Sequence, residues 1–375
     1  MRLLRNLLLL LVVVLAVGLL ALKLLYGRGQ PYPSLATPVP AGSGDASVIA
    51  TLDFPPGNVA VSSDGRTFVN LHPFAQAKRF GVPTLYELRG GKLEPFPSAQ
   101  AQSGFQGIFG MTVDAQNRLW VVEPAGLDHE RSKVSAIDLA QGRVVFEYAF
   151  ERGTAGFVQD LRVSRDGRTV VLADTGLFKF TQPGLWVLDV DTRKLLRRLA
   201  SHPSTQPQDW VMRTPFGLHR LGYGLITFAV GLDGLEISAD DQWLYYAAMT
   251  HDSLYRVPLA MLRDPGVDDA ALSARIEALG KKPMSDGITL DREGRVILTD
   301  VENGGLMRRD VDGKLVTIVS DKRIVWADGV VQAPDGALLF TDSAIPAYID
   351  QLARPPALER LKAGGPYRVW RWQAR

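Results

Sequence analysis

Six copies of one strand–turn–strand pattern constrain this chain more than any other feature. VAVSSDGRTFVN (59–70), MTVDAQNRLWVV (111–122), LRVSRDGRTVVLAD (161–174), LEISADDQWLYYAA (235–248), ITLDREGRVILTD (288–300) and VVQAPDGALLFTD (330–342) each alternate apolar and polar residues. Each breaks at a polar turn rich in Asp, Gly or Asn and then resumes. Alternation with a period of two marks strands, and these turn residues relax the backbone between them. Most copies follow one another at about 40–55 residues, which is the spacing of propeller blades rather than of helical repeats. The exception lies between the turns near 166 and 240, where the chain carries an insertion, 202–230.

Outer hairpins follow the repeats and complete four-stranded units. They turn at Gly90-Gly91, Gln141-Gly142, Asp191-Thr192 and Asp312-Gly313. In the fourth and sixth units, helical pieces are expected within 258–279, with Asp268 or Asp269 as N-cap, and within 347–364. Two strands remain without a partner, at 47–54 and 367–372. Pairing them closes the ring and removes two open edges at once. The predicted fold is therefore all-β: a six-bladed β-propeller over 47–375, preceded by a hydrophobic helix in 1–28 and a Pro/Gly/Ser-rich linker over 29–46.

The run Leu7–Leu22 is unbroken apolar sequence behind Arg2 and Arg5, and Leu24–Tyr26 extend it. That length just spans a bilayer. It reads as a signal anchor, with a signal peptide cleaved near Ala16-Val17-Gly18 as the alternative. Either reading places the propeller outside the cytoplasm, periplasmic or secreted, with the membrane as a partner through residues 7–26. A net charge of +2 with scattered cations gives no nucleic-acid footprint. The absence of cysteine excludes disulfides, thiolate metal sites and a thiol nucleophile.

GLDGLEISADDQWLYYAAMTHDSLYRV (231–257) resembles the signature of the yellow/major royal jelly protein family, including bacterial members labelled L-dopachrome tautomerase-related. GRTFVNLHP, NRLWVVEPAG, LFKFTQPGLWVLDVDTRKLLRRL and MSDGITLDREGRVILTDVENGGLMRRD continue the match in order. The resemblance implies a six-bladed propeller and export. It leaves the activity open among dopachrome conversion, binding of small biogenic amines and storage. A more distant likeness runs to gluconolactonase/regucalcin-like calcium propellers. Asp286 in MSDGI matches their Asp-Gly motif. Asp233 stands where they carry Asn, and no Glu precedes the first repeat.

Two polar rings recur. The first lies just ahead of the inner strands: Asn58, Gln159-Asp160, Asp233, Asp286 and Asp328. Ring closure would bring these together at the channel mouth, where clustered carboxylates raise one another's pKa unless a cation joins them. Asp233 and Asp286 are the candidate ligands of a divalent cation such as calcium; Asn58, Asp160, Asp233 and Asp328 are candidate ligand-binding groups. Asp286 and His72 are the candidate acid–base pair. The bland alternative is that each Asp-Gly caps a turn. The second ring, Glu123, Asp174, Asp300 and Asp342, reads as ties from strand ends to the next loop. His251 is a weaker candidate, and Phe105, Phe109, Trp210, Phe216, Tyr223 and Trp326 are candidate walls of an aromatic pocket.

Three functions are expected from this set. The first is a propeller that binds, and as an enzyme would isomerise, a small aromatic or amine-like molecule. The second is a metal-dependent lactone hydrolase. The third is a non-catalytic envelope module that uses 202–230 as its contact surface. No G-x-S-x-G elbow, H-E-x-x-H or phosphate-binding Gly loop is present.

Overall fold

A computed structural model describes residues 1–125, 130–349 and 355–375. Six four-stranded antiparallel sheets follow one another along the chain. Blade one runs from Pro56 to Pro95, blade two from Met111 to Ala149, and blade three from Val158 to Arg198. Blade four runs from Leu232 to Lys281 and blade five from Ile288 to Ser320. Blade six takes Ala327–Gln332, Leu338–Asp342 and Tyr367–Gln373 from the C-terminal end and Asp45–Leu52 from the N-terminal end. The expected closure is present: Asp45 pairs with Gln373 and Leu52 with Tyr367.

The repeat builds the core directly. In each copy the inward residues of the first two strands are Val, Leu, Ile or Phe, and they pack between neighbouring blades. Phe340, Trp370 and Trp372 fill the space between blades five and six with Ile297 and Leu306. Trp370 is fully buried and stacks on Phe340, ring centres 6.0 Å apart.

Long connections gather on the face where the inner strands begin. The insertion 202–230 forms two short hairpins there, Arg213–Thr214 with Gly217–Leu218 and Arg220–Leu221 with Ile226–Thr227. Its Met212, Leu221, Phe228 and Val230 share a core with Met249, Met284 and Trp326, so it packs on this face of blades four to six. The helical piece of blade four lies at the other end. It contains Leu259–Arg263 and Asp269–Ser273, and the Asp268 carboxylate caps the second by accepting from Ala271 N–H at 2.8 Å. In blade six, helices cover Ile345–Tyr348 and Leu358–Gly364, while residues 350–354 of the expected insertion lie outside the described residues.

The linker is extended, as its composition suggests, but it is held. Gln30 and Pro31 pair in parallel with Trp210 and Val211. The buried Tyr32 hydroxyl donates to Lys282 O at 3.1 Å, and Thr37 and Thr317 exchange two hydrogen bonds. Among the described residues one helix, Arg2–Tyr26, is long and apolar enough to cross a membrane, and none of its residues is buried. It is compatible with a signal anchor or a signal sequence.

Trp370 sits at the closure and has no room to be replaced. Trp370→Ala should cost roughly 3–5 kcal/mol by loss of burial and creation of a cavity. Because the ring melts as one body, a single cooperative denaturant transition should shift as a whole. A loss under about 1 kcal/mol in that titration would contradict the role given to closure.

Candidate functional site

The channel mouth is built by a repeated backbone device. In four inner strands a β-bulge interrupts the ladder at the polar residue: Gly57-Asn58, Gln159, Asp233 and Asp328-Gly329. A bulge leaves residues unpaired and re-aims their side chains. Backbone N–H groups at the ring positions find side-chain partners on the neighbouring strand. Asn70 Oδ1 accepts from Asn58 N–H at 2.6 Å. Thr299 Oγ1 accepts from Asp286 and Gly287 N–H, and Thr341 Oγ1 from Gly329 N–H.

The Asp-Gly pairs are not turn caps. Gly234, Gly287 and Gly329 have no positive φ. They are small because the next blade passes directly over them. A Cβ on Gly287 would stand 2.4 Å from Asp328 O, and one on Gly329 2.5 Å from Asn58 Oδ1. Gly234 approaches Asp286 O in the same way. Each glycine thus seats the next blade's polar residue against the channel. Gly287→Ala should displace the inner strand of blade six and destabilise by about 1–3 kcal/mol, the usual range for forcing atoms into a filled space. Wild-type melting of that variant would show that the strand yields freely.

All six expected residues, Asn58, His72, Asp160, Asp233, Asp286 and Asp328, line one cavity of about 20 Å³, together with Pro73, Phe109 and Gln159. That is room for one water-sized body. Asp233 and Asp286 lie against each other, within reach of a carboxyl–carboxylate hydrogen bond, and Gln159 Nε2 donates to Asp233 Oδ2 at 3.1 Å. Trp326 Nε1 donates to Asp286 Oδ2 at 2.6 Å. Burial raises Asp286 to about 7, reinforced by the nearby Asp160 charge. Burial and then the charge of Asp286 hold both Asp233 and Asp328 well above the usual carboxylate range. Asp328 Oδ2 is buried with no hydrogen-bond partner and lies 3.9 Å from His72 Nε2.

His72 is fixed as a neutral ring. Its Nδ1 accepts from Phe74 N–H at 3.2 Å, which puts the ring proton on Nε2, facing Asp328. Burial pulls its pKa down to about 3. Asp160 is occupied differently: Arg162 Nη1 donates to both of its oxygens, at 2.9 and 3.1 Å. Arg162 also reaches Glu236 at 3.3 Å, and Thr289 donates to the same carboxylate at 2.9 Å. This salt-bridged layer forms the floor beneath the cavity.

A larger chamber of about 260 Å³ lies beside it, and His72 and Pro73 wall both spaces. Gln76, Lys78, Arg79, Thr84 and Gln106 line the rest. Sequence reasoning did not find this chamber, because its walls come from the 72–84 connection and the start of blade two. It also missed Arg162, although residues two apart on a strand share a face and Asp160 was already marked. Lys282 was missed as well. It is fully buried with Nζ donating to Met249 O and Pro283 O, and burial draws its pKa down to about 7.

Other expected groups lie elsewhere. The second ring ties loops: Asp342 accepts from Val325 and Trp326 N–H, Asp174 from Gly156 and Phe157 N–H, Glu123 from Gly107 N–H, and Asp300 from Glu302 and Asn303 N–H. His251 accepts from Ser253 N–H and packs on Tyr255, away from the cavity. Phe109 is the expected aromatic that lines the cavity. Phe216 and Tyr223 stand on the outer surface, where the short hairpins of the insertion turn outward.

The donor set is oxygen-rich, and the orphaned Asp328 oxygen is the feature a hard cation would satisfy. The remaining donors are already engaged: Asp160 by Arg162, Asn58 Oδ1 by Val59 N–H, Asp286 by Trp326. Among the described residues no group of three or more His, Asp or Glu side chains is placed to hold a metal ion.

The raised carboxyls give a pH signature. Between the unfolded value near 4 and the folded value near 7, the folded state keeps a proton that the unfolded state has released. That stability is complete below the unfolded pKa and is lost as pH rises through the folded one. Asp286→Asn supplies a permanent N–H to Asp233 and removes this loss. The variant should melt roughly 2–5 °C above the parent at pH 7.5, with the gap narrowing as pH falls and closing at about pH 4. The buried histidines act with the opposite sign in both proteins and cancel. A gap independent of pH would remove the shared proton.

Residues 106–330, 225 of the chain's 375, match the family model described as Major royal jelly protein. No curated protein matches the chain. Among solved structures, a gluconolactonase from Xanthomonas campestris is 17% identical with a TM-score of 0.55, covering 89% of this chain and 90% of that one. A calcium-binding regucalcin from Agrobacterium tumefaciens is 13% identical with a TM-score of 0.51, covering 88% and 93%. A streptogramin B lyase is 12% identical with a TM-score of 0.51, covering 90% and 100%. At these identities the likeness is one of fold.

Proposed function

The chain belongs to the major royal jelly protein family, and on that premise we propose that it is an exported, membrane-anchored propeller that binds a small quinone-like or aromatic molecule and shifts a proton on it. The observation that carries this reading is the buried Asp233–Asp286 carboxyl pair, which burial pushes toward the protonated form, in a cavity beside the Nε2–H of His72. An acid–base group works best with a pKa near the working pH, and Asp286 stands there. The cavity admits only the reacting fragment, a carbonyl oxygen or a C–H. The body of the molecule occupies the larger chamber. Lys78 and Arg79 in that chamber favour a ligand carrying a carboxylate or phenolate over a bare amine.

The roles divide accordingly. Asp286 takes or returns the proton and Asp233 holds the pair in register. His72 donates Nε2–H to the oxygen on which charge develops. Asp328, which burial pushes toward its protonated form, faces the same oxygen. Gln159 and Trp326 orient the pair by the hydrogen bonds already described.

The test uses the full chain in detergent with L-dopachrome, a quinone-like carboxylate, followed by its absorbance. Asp286→Asn is expected to slow turnover by roughly 10²–10⁴-fold, the usual worth of a positioned acid–base group. Its dissociation constant should stay close to the parent's. Lys78→Ala should weaken binding and leave the saturated rate nearly intact. Turnover by Asp286→Asn at the parental rate would defeat the reading.

A second reading is favoured by one atom, the unpartnered Asp328 Oδ2. There a divalent cation would replace the shared proton, and the family of folds that includes gluconolactonases would supply the precedent. Calcium that raises the melting temperature of the parent but not of Asp328→Asn, with hydrolysis of a sugar lactone, selects this reading over the first.

A further inference from the structure

The N-terminal helix is clamped where it leaves the propeller. Lys23 Nζ donates to Gly224 O, Thr227 Oγ1 donates to Arg28 O at 2.8 Å, and Arg220 Nη2 donates to Gly29 O at 3.3 Å. Tyr26 packs on Phe180 with ring centres 5.0 Å apart. A Cβ on Gly27 would stand 2.3 Å from Leu225 O, so the helix end lies directly on the insertion. Gln30 and Pro31 then enter a parallel pair with Trp210 and Val211. Ties on both sides of Gly27 leave little freedom between helix and propeller.

Around this exit the surface is unusual. Among the described residues only three aromatic side chains are exposed, and all three are here: Phe180, Phe216 and Tyr223, the last two 63% and 92% exposed. Leu218 joins them, and Leu24 and Leu25 on the helix continue the patch. Arg28 and Arg213 are exposed beside it. Exposed aromatics with nearby cations are what the bilayer interface selects, since rings and guanidinium groups sit well at headgroup depth.

We propose that this face, made by the 176–183 connection and the two hairpins of the insertion, is seated in the membrane interface. The inference rests on the anchored reading of the helix and adds an orientation to it. The occupant is the bilayer itself, because the apolar patch is continuous with a helix of 25 residues, about 37 Å long against a hydrocarbon core of about 30 Å. The inner strands begin on the same side, so the channel mouth and its chamber turn toward the lipid. The propeller does not hang free on a tether.

The chain lacks cysteine, so one introduced thiol carries one label. The full chain is placed, one copy per disc, in nanodiscs of zwitterionic and anionic phospholipid. Spin labels are attached to Phe216→Cys, Tyr223→Cys, Val14→Cys and Val311→Cys. Val14 lies within the helix, and Val311 is an exposed residue in the turn between the outer strands of blade five. Labels at 216 and 223 should lose most of their accessibility to a water-soluble nickel complex, while the label at 311 keeps it. Equal accessibility at 216, 223 and 311, with 14 in lipid, would overturn the seated face while keeping the anchor. Nickel access at 14 would overturn the anchor and this inference together. Protection at 216 and 223 accompanied by spin–spin broadening that vanishes on dilution with unlabelled chain would assign the face to a second copy instead. Unchanged melting of the four labelled proteins establishes that each has folded.

Discussion

The pairing of Asp45–Leu52 with Tyr367–Gln373 is the contact on which the rest of the molecule depends. It joins strands from the two ends of the propeller, so no local sequence can form it early. Loop-closure entropy must be met before this contact returns any enthalpy. The sequence answers with density at the seam. Trp370 and Trp372 alternate with Arg371 along the last strand, placing both rings on the inward face, where they join Phe340, Ile297 and Leu306. Without closure, blade six would lack its outer strand and the adjoining inner strands would lose their lateral support. The site would go with them, because Asn58 and Asp328 meet only across the junction of blades six and one.

Closure also explains how so many carboxyls come to be buried together. The glycines at 234, 287 and 329 allow inner strands to approach until backbone nearly touches backbone. Bulges at Asp233 and Asp328-Gly329 send those polar side chains toward the axis. Packing this tight excludes water, and exclusion of water makes each bare charge expensive. The chain resolves the cost in two ways. Asp160 is neutralised by Arg162, and that pair passes its charge on to Glu236. Asp233 and Asp286 instead face each other, and burial pushes both toward the protonated form. The first arrangement is held by its ion pairs and serves as a floor. The second is poised to exchange a proton, which is why the proposed chemistry is assigned to it.

Much of this was legible in the sequence, and the boundary has a physical reason. The six repeats announce themselves because alternation and turn chemistry are local. The ring Asn58, Asp160, Asp233, Asp286 and Asp328 follows once the repeats are superposed, since equivalent positions in a propeller converge. Closure follows from two unpaired strands. What was hidden depends on contacts between residues far apart in the chain. Trp326 on Asp286 spans 40 positions and Arg162 on Ile288 O spans 126. The chamber beside His72 is bounded by connections whose lengths carry no period. The linker shows the same limit from the other side: Pro and Ser describe an extended chain, but only the folded propeller supplies the Thr317 and Lys282 groups that pin it.

The two acidic rings make the distinction between structure and chemistry concrete. Both consist of buried acids at strand ends, and composition does not separate them. Hydrogen-bond supply does. Asp174 and Asp342 each meet backbone N–H groups of the segment that enters their own blade. Such donors are fixed, and they tie each carboxylate to the loop ahead of its own blade. In the inner ring most backbone donors turn toward Asn70, Thr299 and Thr341 instead. The carboxyls are then left to one another, to Gln159 and Trp326, or, for Asp328 Oδ2, to no partner at all. A fold that supplies threonine and asparagine to its backbone at these positions withholds that backbone from its acids. The unsatisfied acids mark where a ligand has something to gain.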